Sequence, residues 1–137
     1  MNPIELTARR EALGLGIGAL ANHFGVREQS VHRWEVGSYE PKDWGWIEEG
    51  IQDLEDYQDK LVQQMIEVAD AAHAADEELA LVTFSTDAHY WDWDKEAGEK
   101  KIPVGFHRAA TAQALRLLKA KYSEAVSISR APRADIF

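Results

Sequence analysis

The segment "VREQSVHRWEVG", residues 26–37, arranges polar side chains around two apolar ones, Val31 and Trp34. Coiled into a helix, Val31 and Trp34 lie three apart and share one stripe, while Glu28, Gln29, His32 and Arg33 project from the other side. Those four residue types have the hydrogen-bonding repertoire of a base reader. Arg forks onto a guanine edge, Gln onto adenine, Glu accepts from the cytosine amine, and His donates to a purine nitrogen or a phosphate. An ordinary solvated helix face carries similar residues, so the elements that position this row decide its meaning.

Asn2, Pro3 and Glu5 read as an N-cap, a first-turn proline and a capping-box acid, which predicts a first helix from Pro3 to Leu13 with Ile4, Leu6 and Leu13 as core residues. Gly14, Gly16 and Gly18 interrupt the pattern before "ALANHFG", where Leu20, Ala21 and Phe24 form a short apolar face closed by Gly25. Val26 sits in the turn, and the third helix ends at Gly37. A short helix, a glycine turn and a polar-faced helix are in helix-turn-helix order.

From Asp43 onward, Ile47, Ile51, Leu54, Leu61, Met65, Val68 and Ala72 alternate spacings of three and four, with Gln58 as the polar position in the row. This predicts a long fourth helix whose narrow seam outruns the head and must be covered by a second copy or by the C-terminal half. "LALVTF", residues 79–84, predicts a strand. In "STDAHYWDWDKEAGEKK", residues 85–101, alternation hints at a second strand, with a short helix as the other reading. "IPVGFHRAATAQALRLLKAKY" reads as a short strand-like piece and then a helix bearing Ala110, Ala114, Leu117, Leu118 and Lys121 near one another, and the tail from Ser127, with Arg130, Pro132 and Arg133, reads as mobile.

The net charge of -9 weighs against a polyanion partner until its distribution is considered. Residues 1–37 hold four Arg and four Glu, residues 38–78 hold two Lys and thirteen acids, and residues 79–137 hold nine bases and seven acids. A neutral head with Arg9, Arg10, Arg27 and Arg33 can therefore meet phosphates while an acidic segment is turned away, with a steep dependence on salt. The absence of cysteine excludes disulfides and thiolate metal sites and fits a reducing cytoplasm. The start of the chain reads as neither a secretory signal nor a membrane span, so a cytoplasmic protein with no membrane partner is expected.

"ALANHFGVREQSVHRWEVG" resembles the lambda-repressor-like (Xre-type) helix-turn-helix pattern at Leu20, Ala21, Gly25, Val26, Ser30, Val31, Trp34, Glu35 and Gly37. The resemblance implies that the helix from Arg27 lies in a DNA major groove, with Glu28, Gln29, His32 and Arg33 on base edges and Arg27 and Ser30 beside phosphates. It also implies a structural ion pair between Arg10 and Glu35. Two departures stand out: Gly16, Ile17 and Gly18 occupy the place of a phosphate-gripping polar residue, and the loop after Gly37 carries Glu40 and Asp43 where bases are common. Backbone amides, Tyr39 and Lys42 remain there for phosphate. The whole-chain layout, including "PVGFHRAATAQAL" at residues 103–115, resembles the anti-CRISPR-associated repressors of phages and mobile elements. That likeness implies a mainly α protein with a helix-turn-helix DNA-binding domain at 1–74 that includes the long helix. A small α+β dimerisation unit would follow at 75–137, and the homodimer would act on an inverted-repeat operator in double-stranded DNA, often its own promoter.

Enzymatic readings are weaker. His89 with Asp92 and Asp94, and His73 with Asp70, Asp76 and Glu77, are the nearest approaches to a metal set, and the chance pairing of His with acids accounts for both. Gly14, Gly16 and Gly18 form G-x-G-x-G between helices rather than after a strand, and no nucleophile elbow or phosphate loop is present. The expectation is a non-enzyme with no catalytic residues, no metal and no cofactor. The competing reading is an antitoxin or a protein-interaction module that uses the acidic long helix to engage a basic partner. Gln29, His32 and Arg33 favour DNA, and Glu28 favours the alternative.

Overall fold

The computed structural model describes residues 1–123 and 126–132. Among these the chain is mainly helical, with a small two-stranded parallel sheet in its C-terminal part. Helix α1 (Pro3–Ala12) begins as its sequence requires, with Asn2 Oδ1 accepting from the Glu5 amide at 2.9 Å and Pro3 in the first turn. Leu6 and Leu13 are buried, but Ile4 is 73% exposed and does not join the core, because the buried stripe passes through Leu6 and Arg10 instead. Helix α2 (Ile17–Phe24) ends at Gly25 and α3 (Glu28–Val36) at Gly37, both glycines adopting the left-handed conformation, φ +66° and +76°.

Asp43 caps α4 (Trp44–Ala74) by accepting from the Trp46 amide at 3.1 Å. Ile47, Ile51, Leu54, Gln58 and Leu61 are buried in the expected order, after which the stripe moves to Val62 and Ala69. Val68 is 68% exposed. A straight helix of 3.6 residues per turn drifts away from a seven-residue repeat, and the buried stripe of α4 follows that drift where it packs against its own chain. The covering element is α7 (Val104–Lys121), whose Phe106, His107, Ala110, Thr111, Ala114 and Leu118 are all buried. Leu117, placed with that face by angle, is 55% exposed.

Strand β1 (Leu79–Thr83) buries Leu79, Leu81 and Thr83 and exposes Ala80 and Val82. Residues 85–101 contain two short helices rather than a strand, α5 (Asp87–Trp93) and α6 (Lys95–Glu99). Local caps override the alternation: Thr86 Oγ1 accepts from the His89 amide and Asp94 Oδ1 from the Ala97 amide, each at 3.1 Å. The strand-like piece before α7 is likewise not a strand. The Val104 amide donates to Asp87 Oδ1 at 2.7 Å and α7 starts there. The segment expected to be a mobile tail forms β2 (Val126–Arg130), parallel to β1 in the register Leu79↔Val126 through Thr83↔Arg130. Arg133 lies outside the described residues.

The buried apolar side chains form one continuous cluster from Leu6 in α1 to Leu118 in α7. Gln58, the polar interruption in the seam, ties its parts together. Its Nε2 donates to the carbonyls of Leu13 (3.2 Å) and Phe106 (3.1 Å), and its Oε1 accepts from Gln113 Nε2 at 2.8 Å. Beside this knot the backbones of Gly14 and Gly105 touch: a Cβ on Gly14, at φ +74°, would lie 2.3 Å from the Gly105 oxygen. No helix among the described residues is long and apolar enough to cross a membrane.

Candidate nucleic-acid interface

Helix α3 is held from behind by its apolar stripe and by a buried ion pair. Val31 is fully buried and Trp34 nearly so. Arg10 Nε and Nη2 reach the two oxygens of Glu35 at 2.7 and 2.8 Å, Arg10 Nη1 donates to the Leu15 carbonyl at 2.9 Å, and Thr7 Oγ1 donates to Glu35 Oε1 at 2.9 Å. The resemblance implied this pair; the geometry is a two-pronged one that locks α3 to α1 and to the turn before α2. The neighbouring carboxylate holds the Arg10 guanidinium above its ordinary range despite burial.

With that face fixed, helical periodicity sends Glu28, Gln29, His32 and Arg33 outward, and all four are exposed. Gln29, His32 and Arg33 make no hydrogen bond or ion pair with any described residue, and neither does Arg27, the N-cap of α3, which places no side-chain bond on its own helix. Glu28 differs from the rest of the row. Its carboxylate lies over the first turn of α2, where a Cβ on Gly18 would meet Glu28 Oε1 at 2.7 Å. That turn has no side-chain cap, so the carboxylate faces the positive end of α2.

Ser30, Tyr39 and Lys42 come together around one hollow of about 250 Å³ between α3, the loop at 37–43 and the start of α4, whose walls include Trp34 and Trp46. Tyr39 is 50% exposed and Lys42 is exposed, whereas Ser30 is half-buried. The Asp43 carboxylate in the same rim is engaged in capping α4. Arg27 is not part of this hollow. Sequence reasoning missed Trp46, which is 45% exposed and meets Phe24 and Trp34 edge-on at centroid distances of 5.0 and 6.4 Å. The signal was the pair of tryptophans in "WGW", one turn into a capped helix. Gly50 makes room for this cluster, since a Cβ there would overlap the Phe24 ring at 2.2 Å.

The head's four arginines divide into two roles. Arg9 is enclosed by acids, with Nη1 2.8 Å from Glu48 and 3.0 Å from Glu5, and with Glu55 as a further, closer partner that holds its guanidinium above the ordinary range. Arg10 belongs to Glu35. Arg27, Arg33 and Lys42 are the head cations left unpartnered among the described residues.

In the two groups weighed as metal sets, His89, Asp94, His73 and Asp70 are separately engaged. The His89 ring packs edge-on against Phe84 at 5.2 Å, and Asp94 caps α6 and accepts from the Tyr57 hydroxyl at 2.8 Å. His73 stacks on Tyr122 at 4.1 Å, while Asp70 accepts from Lys121 at 2.8 Å and from the Tyr122 hydroxyl. No group of three or more metal-ligating side chains converges among the described residues. No protein-family model matches the sequence, and no curated protein matches it.

Proposed function

We propose that this protein is a sequence-specific DNA-binding transcriptional repressor that acts as a homodimer on an inverted-repeat operator. One observation carries the reading: Gln29, His32 and Arg33 stand exposed and, among the described residues, unpartnered on a helix whose opposite face is fixed by Val31, Trp34 and the Arg10–Glu35 pair. A surface of flexible side chains on a rigid support suits recognition of base edges in a major groove. Arg27 at the start of α3, and Ser30, Tyr39 and Lys42 around the neighbouring hollow, supply candidate phosphate contacts on either side of the row. Two such helices, roughly 34 Å apart in successive major grooves, would block polymerase by occupancy. Autoregulation, the helix-turn-helix family and a cytoplasmic location belong to the same proposal through the sequence resemblance, and neither catalysis nor a cofactor is part of it.

The test is a gel shift on the DNA immediately upstream of the protein's own gene, against a scrambled duplex, at several salt concentrations. Arg33→Ala and Gln29→Ala should each weaken operator binding by about 1–3 kcal/mol with unchanged thermal stability. Arg27 and Lys42, the two cationic phosphate contacts of each protomer and unpartnered among the described residues, predict a log–log salt slope near roughly -4 for a dimer, taking each phosphate contact at its usual increment. Unchanged affinity in both variants would overturn the recognition-helix assignment. Absent or non-selective binding by the parent protein would favour the interaction-module reading, with the acids of α4 as the surface to probe.

A further inference from the structure

The sheet has a free edge, and its pattern of polar groups is its own mirror. In the parallel pair, the Ala131 amide donates to the Thr83 carbonyl at 2.7 Å while Thr83 stands opposite Arg130. This sets the parity of the ladder: Ser127, Ser129 and Ala131 turn their backbone groups towards β1, so Val126, Ile128 and Arg130 turn theirs away from it. Those outward N–H and C=O groups have no partner among the described residues, and β2 is exposed along most of its length. An unpaired edge of this kind is a template for another strand.

From this we infer that the free edge of β2 is the homodimer interface, and that it pairs antiparallel with β2 of a second copy about a twofold axis at Ile128. The outward groups at 126, 128 and 130 are symmetric about residue 128. Setting Ile128 opposite Ile128 of the second copy, and Val126 opposite Arg130, lets each facing pair exchange both N–H···O bonds and matches every outward group of β2 at 126, 128 and 130. The side chains agree with this register. Ile128 stands on the same face as the buried Leu81 yet is 42% exposed, and its own symmetry mate would cover it. Arg130 meets Val126 rather than another Arg130, so no like charges face each other, and Ser127 meets Ser129. The product is a four-stranded sheet, a usual size, in place of a two-stranded one that is marginal by itself.

The inference deepens the homodimeric reading above, and its test uses no DNA, so either can fail without the other. Sedimentation equilibrium of the full chain should give twice the 15.4 kDa chain mass. Ile128→Pro removes an amide that points away from β1, a position where an edge strand tolerates proline, and should return the protein to the monomer mass with its helical signal intact. A second variant keeps the test independent of that strand's tolerance. The chain has no cysteine, and facing residues of a hydrogen-bonded pair lie about 5.5 Å apart, within disulfide range. Ile128→Cys with an added oxidant should therefore give a covalent dimer, whereas Val68→Cys, exposed on α4, should not. A monomeric parent protein, or a dimer that survives Ile128→Pro and does not cross-link through Ile128→Cys, would overturn the inference.

Discussion

Arg10→Ala tests the part of the structure on which α3 depends most. Arg10 is 9% exposed, and the Glu35 side chain it holds is 5% exposed. Truncating Arg10 removes both prongs of the pair and the bond to the Leu15 carbonyl, and leaves a carboxylate inside the protein with Thr7 as its one remaining side-chain partner among the described residues. Breaking a buried pair from one side costs about 3–5 kcal/mol, because desolvation of the surviving charge is no longer offset. For a chain of this size that corresponds to a fall in melting temperature of roughly 10–20 °C. The double variant Arg10→Met with Glu35→Leu removes both charges and should recover most of the loss, since an apolar pair of similar volume carries no buried charge. Thermal denaturation of the parent, Arg10→Met, Glu35→Leu and the double variant closes the cycle. If Arg10→Ala melts within about 2 °C of the parent, the pair is not buried as described and α3 is positioned by Val31 and Trp34 alone.

Two further outcomes follow from the core. His107 is enclosed by the rings of Phe84, Tyr90 and Trp93, with Nδ1 2.9 Å from Thr83 Oγ1, and burial pushes its pKa down to about 4 from the ordinary 6.5. Above pH 6.5 the ring is neutral whether the chain is folded or not; as pH falls from there towards 4, the unfolded chain takes up a proton that the folded one refuses, and stability drops by roughly 3 kcal/mol. Denaturation midpoints from pH 7.5 to 4 should show a steeper decline for the parent than for His107→Leu, and parallel curves would refute the assignment. Gly14→Ala and Gly25→Ala both place a side chain at positive φ, but nothing lies within 4 Å of a Cβ on Gly25, whereas a Cβ on Gly14 collides with the Gly105 backbone. Gly25→Ala should cost about 1 kcal/mol, and Gly14→Ala should exceed it by about 1–3 kcal/mol in chemical denaturation. Equal losses would mean that the two backbones are not in contact.

The first half of the fold was legible because its signals are local. Asn2 and Asp43 cap their helices, Gly25 and Gly37 end theirs, and the three- and four-residue spacing of Ile47, Ile51, Leu54 and Leu61 leaves one way to bury α4. Ile4 and Val68 were misplaced for a related reason: periodicity gives a stripe's direction, but its width and drift depend on what packs against it. The aromatic segment at 85–101 defeated alternation because Thr86 and Asp94 act as caps three residues ahead of the amides they bond, a signal easily hidden in an acidic run. Strand β2 was illegible for a different reason. "VSISR" has little apolar content, and it is a strand because β1 offers a ladder more than 40 residues earlier in the chain, a non-local pairing that no window of sequence contains. At the site, periodicity alone exposed Gln29, His32 and Arg33, whereas the folding of Glu28 over Gly18 and the convergence of Ser30, Tyr39 and Lys42 required three dimensions.

The placement of charge bears on how such a head could bind DNA while the chain as a whole is acidic. Of its arginines, Arg9 neutralises Glu48 and Glu55 on α4, and Arg10 is buried against Glu35, so neither is available to a phosphate. Arg27, Arg33 and Lys42 remain, and Glu28, Glu40 and Asp43 lie close to them in sequence. The sequence-independent attraction that phosphate neutralisation provides is therefore small on the proposed reading. Affinity would have to come from the base edges met by Gln29, His32 and Arg33 and from backbone amides at helix starts, which need a matching duplex geometry to be used. A weak electrostatic background lowers binding to random DNA more than binding to a matched site, so on the proposed reading the protein would gain selectivity by giving up general affinity. On that reading dimerisation would carry more of the total, because two specific half-sites joined by one interface would recover what each head lacks in charge.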